Sequence, residues 1–356
     1  MEKRGCLVFI FFACLLVVSD GREPKPMKYK AKSSSVYNHT LAIIMVEYAS
    51  AVYISDMTAL FTWTCSRCNG FTEGFEVVEL VFDVESCLQS FVGVAKDPRA
   101  IIIAFRGTRG SSIQNWIEDL FWKQLDLDYP GMPGAKVHSG FYRAYHCTTM
   151  RPAILNAVKR AKEVYGDLDI IVTGHSMGGA MAAFCAFDLI VNNKASNVQV
   201  ITFGQPRIGN AAFASHYSKH LPNTIRVTNG HDMVPHLPPY FFIFPRRTYH
   251  HFPREVWLQG TSSKCFASYT EIVCDDSGED LTCSRSVIGN SIQDHLSYYG
   301  VEFPTDDPGT CWIVMDPLLV EYGSIDSKGN IMLFRDPATP IPIIPTLEAN
   351  WSKIGT

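Results

Sequence analysis

IIVTGHSMGGAMAAF, residues 170–184, decides how this chain is read. Four β-branched residues, Ile170, Ile171, Val172 and Thr173, run into Gly174-His175-Ser176-Met177-Gly178-Gly179, and small residues follow. The first run suits a buried strand. G-x-S-x-G placed between a strand and a helix is a sharp turn that presents its serine at the tip. Backbone segments approach so closely in such a turn that a Cβ would clash, which only glycine avoids. Ala180, Ala182 and Ala183 let the following helix lie close to a sheet, with its positive end behind the turn. The stretch therefore predicts strand, elbow and helix, with the Ser176 hydroxyl presented for chemistry.

The rest of the chain has room to build around that elbow. Its 356 residues are 47% hydrophobic with a net charge of −4, enough for a sizeable core. A nucleic-acid partner would call for a basic face, and none is expected. The N-terminus reads as a secretory signal over residues 1–21: Lys3 and Arg4 are basic, Cys6 to Val18 is apolar, and Ser19-Asp20-Gly21 is a small-residue cleavage point. That apolar run is short against the ~20 residues of a spanning helix. Residues 22–35, rich in Lys, Pro and Ser, read as a linker or pro-segment.

Removing the signal takes Cys6 and Cys14 from the eleven cysteines and leaves an odd number. In an oxidising compartment most pair. Cys185, on the helix behind the elbow, is the candidate left over, and Cys65-Ser66-Arg67-Cys68 reads as a local disulfide. Cys265, Cys274, Cys283 and Cys311 leave their connectivity open. Asn38 and Asn350 begin N-x-S/T sequons.

Along the chain, Val36 to Leu60 shows helical spacing, and Val77–Val84, Ser90–Val94 and Ala100–Arg106 are strand-like. Ile154, Val158, Ala161 and Tyr165 mark one face of a helix just before the elbow strand. Val198–Phe203 and Thr224–Thr228 read as strands, with a short helix between them at Ala211–His220. Tyr249–Phe252 also looks like a strand. Strands alternating with helices predict an α/β fold with a mainly parallel sheet and helices on both faces. Beyond Gly300, Ile331–Phe334 is strand-like and a Pro-rich tail, 337–345, follows; residues 301–356 read as an extension packed on a 36–300 domain.

A serine hydroxyl needs a base within hydrogen-bond reach and a third group to orient that base. After an elbow of this kind the chain order is Ser, then acid, then His. Asp232, just past the Thr224–Thr228 strand, meets the acid requirement best; Asp188 points away on the elbow helix. His236, His250, His251 and His295 all follow it, and order and spacing favour His295 without excluding the others. Oxyanion donors are needed as well. Met177 supplies one through its backbone N–H, and Thr108, at the end of the Ala100–Arg106 strand, is the natural second. Ile113, Trp116, Ile117, Leu120 and Phe121 then fall on one face of a short helix beside that loop. Such a helix can cover an apolar groove in water and turn outward at a lipid surface. None of this chemistry calls for a metal or organic cofactor.

The chain resembles the class 3 lipases, the secreted fungal triacylglycerol lipases and their plant relatives. The resemblance rests on FRGT at 105–108, SSIQNWIEDL at 111–120, HSGF at 138–141, GHSMGG at 174–179, TFGQPRIGN at 202–210, HDMVPHLPP at 231–239, EVW at 255–257 and DHLSYYG at 294–300. It implies an α/β-hydrolase fold with a helical lid, Ser176 as nucleophile, Asp232 as acid and His295 as base. It also implies Thr108 and Met177 as oxyanion donors, with the lid around Ile113, Trp116, Ile117 and Leu120. A monomer acting on a lipid ester at a lipid–water interface or membrane surface is the expectation. Arg109-Gly110 looks like an insertion ahead of the lid. Phospholipid, galactolipid and phenolic esters are alternative substrates, and a non-catalytic lipase-like signalling protein is the remaining reading.

Overall fold

A computed structural model of the chain describes residues 37–108, 113–118, 123–127, 129–240, 248–261, 268–304, 311–335 and 353–354. The segments read as signal and linker, the tail 337–345, Arg109, Gly110, Leu120, Phe121, Cys265 and Asn350 lie outside these residues.

Helices α1 (His39–Ala51) and α2 (Met57–Phe61) lead into β1 (Glu76–Asp83), β2 (Leu88–Ala95) and β3 (Ala100–Phe105). Connections of a few residues can only reverse the chain, and these three strands pair antiparallel. After β3 come helix α3 (Ile113–Glu118), a two-stranded ribbon of β4 (Gln124–Asp126) and β5 (Lys136–His138), and helices α4 (Ser139–His146) and α5 (Met150–Tyr165). The chain then alternates through β6 (Ile170–His175), α6 (Met177–Val191), β7 (Val198–Phe203), α7 (Ala211–His220) and β8 (Thr224–Asn229), and continues into the strands β9 (Glu255–Thr261) and β10 (Ser268–Val273). Helix α8 (Ile292–His295) is followed by the short strands β11 (Ser297–Tyr298), β12 (Val301–Glu302), β13 (Ile313–Val314), β14 (Gly323–Ile325) and β15 (Ile331–Phe334).

The main sheet runs in the order β10-β9-β8-β7-β6-β3-β2-β1-β15-β14. Its centre, from β3 through β6, β7 and β8 to β9, is parallel, and the strands on either flank are antiparallel. Successive side chains on a strand point to opposite faces, and β3 shows the consequence. Ile102 and Ala104 pack with Ala42, Met45 and Ala49 of α1. Ile101 and Ile103 pack on the other face with Ile154 and Ala157 of α5 and Met181 of α6. Helices therefore cover both faces, as the alternation of elements predicts.

One reading changes. Tyr249–Phe252 is not a strand: only His250 makes a bridge, to Gly209. The neighbouring backbone groups are committed to side chains, His251 N–H to Glu279 at 2.9 Å and Phe252 C=O to Arg226 at 2.8 Å, so no ladder forms. Beyond Gly300, Ile331–Phe334 is a strand as its pattern predicts, β15, and it is hydrogen-bonded to β1. A Cys87–Cys311 disulfide fastens that segment. Cys65–Cys68 and Cys274–Cys283 are also bonded. Cys185 is free and buried as expected, and among the described residues an exposed Cys147 is free too.

Candidate active site

The elbow is built as its sequence requires. Ser176 sits between β6 and α6 at φ 57° and ψ −128°, a region that side-chain-bearing residues rarely occupy. Two glycines make this possible. A Cβ on Gly178 would lie 2.2 Å from the Phe105 carbonyl oxygen, and one on Gly174 would lie 2.4 Å from the Gly178 carbonyl carbon. The strand before the turn, the helix after it and the end of β3 are thereby held in direct backbone contact. Ser176 N–H donates to the Phe203 carbonyl at 2.9 Å, which ties the tip of the elbow to β7.

Asp232 follows β8. Its Oδ1 accepts from Val234 N–H at 2.8 Å, closing a local turn of the kind aspartate favours. His295 ends α8, whose N-cap Ser291 accepts from Asp294 N–H at 2.9 Å. Backbone pairing between the segments brings the two side chains together: Ser291 N–H donates to the His231 carbonyl at 2.9 Å. Asn229 adds two further ties, its Nδ2 donating to the Asp294 and Ser297 carbonyls at 3.1 and 2.7 Å. His295 Nδ1 then lies 3.0 and 2.9 Å from Asp232 Oδ1 and Oδ2.

An ionised carboxylate only accepts, so Nδ1 carries the proton and Nε2 keeps its lone pair. Among the described residues, neither His295 Nε2 nor Ser176 Oγ has a hydrogen-bond partner. Both adjoin one short piece of backbone, Phe203-Gly204: Phe203 binds Ser176 N–H, and a Cβ on Gly204 would meet the His295 ring at 2.8 Å and Asp232 Oδ2 at 2.9 Å. Contacts at a site of this type are commonly long until substrate binds. Ser176 and His295 are 0% exposed and Asp232 is 3% exposed, so the site is shut from water in this conformation.

Thr108 and Met177 also meet, with Thr108 Oγ1 3.9 Å from Met177 Sδ. As the first residue of α6, Met177 has a backbone N–H that no intrahelical bond uses. Ile113 is buried, and Trp116 and Ile117 are half-buried; the Trp116 ring lies 5.9 Å from that of Phe141. The helix around Trp116 is thus docked on the core.

The rival histidines are placed elsewhere. His251 Nε2 is 2.8 Å from the Pro235 carbonyl, and burial, then Arg226 and Arg207, hold its pKa well below the usual histidine range. His250 bridges to Gly209. The His236 ring packs on Gly289, where a Cβ would come within 2.2 Å of it. Asp188 is buried in a bidentate pair with Arg151 at 2.8 and 3.0 Å.

One contact was invisible in the sequence. The Tyr298 hydroxyl donates to Asp232 Oδ2; Tyr298 lies within DHLSYYG, but nothing in that spacing says which way its ring turns. Burial, reinforced by the Asp232 charge, pushes the phenol pKa well above its ordinary value, so it stays a donor. A hydrogen bond to a charged group contributes about 1.5–3 kcal/mol. Tyr298→Phe is therefore expected to lower kcat by roughly ten-fold or more at little change in KM; steady-state kinetics check this, and an unchanged kcat would contradict it.

A profile of the family described as Lipase (class 3) matches residues 102–242. A lipase of Rhizomucor miehei is 35% identical over 249 residues, which is 67% of this chain and 62% of that protein's length. The structure of the R. miehei triacylglyceride lipase superposes with a TM-score of 0.65 at 31% identity, covering 75% of this chain and 96% of the other. A triacylglycerol lipase structure described as having a serine protease triad as its catalytic centre superposes with a TM-score of 0.64 at 31% identity, covering 76% and 98%.

Proposed function

The chain belongs to the class 3 lipase family, with the α/β-hydrolase fold, and from that premise we propose that it is a secreted serine hydrolase of acylglycerol esters. The observation that carries the reading is the buried His295–Asp232 pair, which leaves His295 Nε2 unpartnered in a ring 4.4 Å from that of His175, the residue before Ser176. Ser176 Oγ attacks the ester carbonyl while His295 Nε2 takes its proton. Asp232 holds the imidazole in the required tautomer and stabilises the imidazolium as it forms. Thr108 and the Met177 backbone N–H donate to the oxyanion, and α6 presents its positive end to the developing charge. The imidazolium returns the proton to the departing alcohol. Water, activated by His295 in turn, then releases the acid from the acyl-enzyme.

A sealed nucleophile must be uncovered before an ester can reach it. The helix carrying Ile113, Trp116 and Ile117 is the proposed lid, moving outward when a lipid–water interface offers its apolar face a partner. The three disulfides among the described residues support an oxidising compartment, in keeping with the signal-like N-terminus.

The test is hydrolysis by the purified mature protein of triacyl-, monoacyl-, phospho- and galactolipids and a feruloyl ester, below and above the concentration at which an interface forms. Acylglycerols are expected to be turned over fastest, with a rise in rate once the interface appears. A smooth saturating curve would remove the lid from the proposal. Preference for phospholipid, galactolipid or feruloyl ester would change the substrate class, and absence of turnover with no labelling of Ser176 by a fluorophosphonate would leave a binding protein.

A further inference from the structure

Tyr53 and His175 lie outside the catalytic scheme, yet both are buried at its centre. Tyr53 stands just beyond α1, whose C-cap is Val52, and its hydroxyl is 2.8 Å from His175 Nδ1. The same hydroxyl accepts from Gly107 N–H at 3.1 Å. On the far side of the ring, His175 Nε2 is 2.7 Å from the backbone carbonyl oxygen of His295. We propose that Tyr53 and His175 form a positioning relay that fixes the oxyanion loop, the nucleophile elbow and the base relative to one another. The inference rests on the ester-hydrolase reading for its effect on rate, and on geometry alone for the relay itself.

The direction of every bond follows from what each atom can do. A carbonyl oxygen only accepts, so His175 Nε2 must carry the proton. In a neutral imidazole Nδ1 is then an acceptor, and Tyr53 must donate its hydroxyl proton to it. The hydroxyl oxygen keeps lone pairs for Gly107 N–H. The chain reads Gly107 N–H to Tyr53 O–H to His175, and His175 N–H to the His295 carbonyl. Its members come from four separate pieces of sequence, and three adjoin reacting groups: Gly107 precedes Thr108, His175 precedes Ser176, and His295 contributes its own carbonyl.

The packing leaves no slack. A Cβ on Gly107 would meet the His175 carbonyl oxygen at 2.4 Å and the Tyr53 hydroxyl at 2.5 Å. The Phe303 ring stacks on His175 at 3.8 Å between centroids, and the His295 ring lies 4.4 Å away. That last contact gives the tautomer a second consequence. When His295 becomes an imidazolium, a charged His175 beside it would oppose the step, and a neutral ring held by two hydrogen bonds does not. Burial, followed by the neighbouring His295, also holds the His175 pKa well below the usual histidine range.

Tyr53→Phe removes one hydroxyl from the relay and keeps the ring. His175→Gln is the second variant, which can still donate toward the His295 carbonyl but cannot place an acceptor where Nδ1 stands. With p-nitrophenyl butyrate as probe, well below the unfolding transition, each single variant is expected to lose ~10- to 100-fold in kcat, the size of effect that a small misplacement of reacting groups produces. KM should stay within about two-fold, and the double variant should be no worse than the poorer single variant, because members of one unit are non-additive. Full kcat in both folded single variants, or losses that simply multiply, would overturn the relay. Imidazole 15N NMR of the native protein reads the same link without turnover. The Nε2–H form of His175 supports the relay and the Nδ1–H form refutes it, whether or not the protein hydrolyses esters. Wild-type protein that fails to turn over p-nitrophenyl butyrate or any lipid while His175 holds the Nε2–H form would count against the ester-hydrolase reading and not against the relay.

Discussion

Replacing Ser176 by alanine is expected to lower kcat by on the order of 10⁶-fold, the loss seen when a nucleophile of this type is removed. The same change should leave the unfolding transition nearly in place. The second expectation comes from one observation: Ser176 Oγ is buried without a hydrogen-bond partner among the described residues. A group that makes no bond in the folded protein forfeits none when deleted, and a buried unpaired hydroxyl costs free energy to keep. The positive φ is strained for alanine as it is for serine, so the elbow itself has no reason to rearrange. Residual turnover would come from the oxyanion donors and substrate binding alone. Kinetics on a chromogenic ester with a parallel thermal melt check the pair of outcomes. Turnover near the wild-type level would move the nucleophile elsewhere.

Loss of rate without loss of stability is the mark of a site that the fold carries as a cost. Gly174 and Gly178 allow β6, α6 and the end of β3 to touch through backbone, and the strain this creates at Ser176 falls where the chemistry is proposed. That is why the elbow was legible from sequence: contact so close leaves only glycine, and glycine at two fixed offsets from a serine is visible in the letters. The sheet was legible for a related reason. Runs such as Ile101–Phe105 and Ile170–Thr173 are apolar on both faces because helices cover both, and Ile102 and Ile103 bury themselves in different cores.

What the letters did not carry was the partner of each polar group. Tyr249–Phe252 has the composition of a strand, but Arg226 and Glu279 take its backbone bonds, and neither residue is near it in sequence. Tyr298 and Tyr53 are tyrosines among fifteen; their roles depend on where a hydroxyl ends, which is a property of the assembled sheet. The integration of β15 beside β1 was hidden likewise. A four-residue strand pattern says that pairing occurs, and only topology says with which edge.

The choice of base was the least determined step in the sequence, and it yields the second large effect. His295→Ala should lower kcat by roughly 10⁴- to 10⁶-fold, whereas His251→Ala should leave kcat within about ten-fold and show its cost in stability instead. The two rings differ in what their nitrogens face. His295 turns Nδ1 to Asp232 at 2.9 Å and leaves Nε2 unpartnered, which is the arrangement of a base awaiting a proton. His251 also has an unpartnered nitrogen, Nδ1, but its Nε2 is bound to the Pro235 carbonyl at 2.8 Å and not to a carboxylate, so no acid there stabilises a protonated ring. Deleting the His251 ring strands a buried carbonyl on the acid-bearing loop, worth about 1–3 kcal/mol, and denaturant unfolding should register it. Asp232→Asn belongs to the same test. An amide can donate to His295 Nδ1, which favours the tautomer with its proton on Nε2, so a loss of about 10⁴-fold is expected with the geometry preserved. Turnover lost only in His251→Ala, with His295→Ala intact, would make the His295–Asp232 pair a structural tie and move the base to His251.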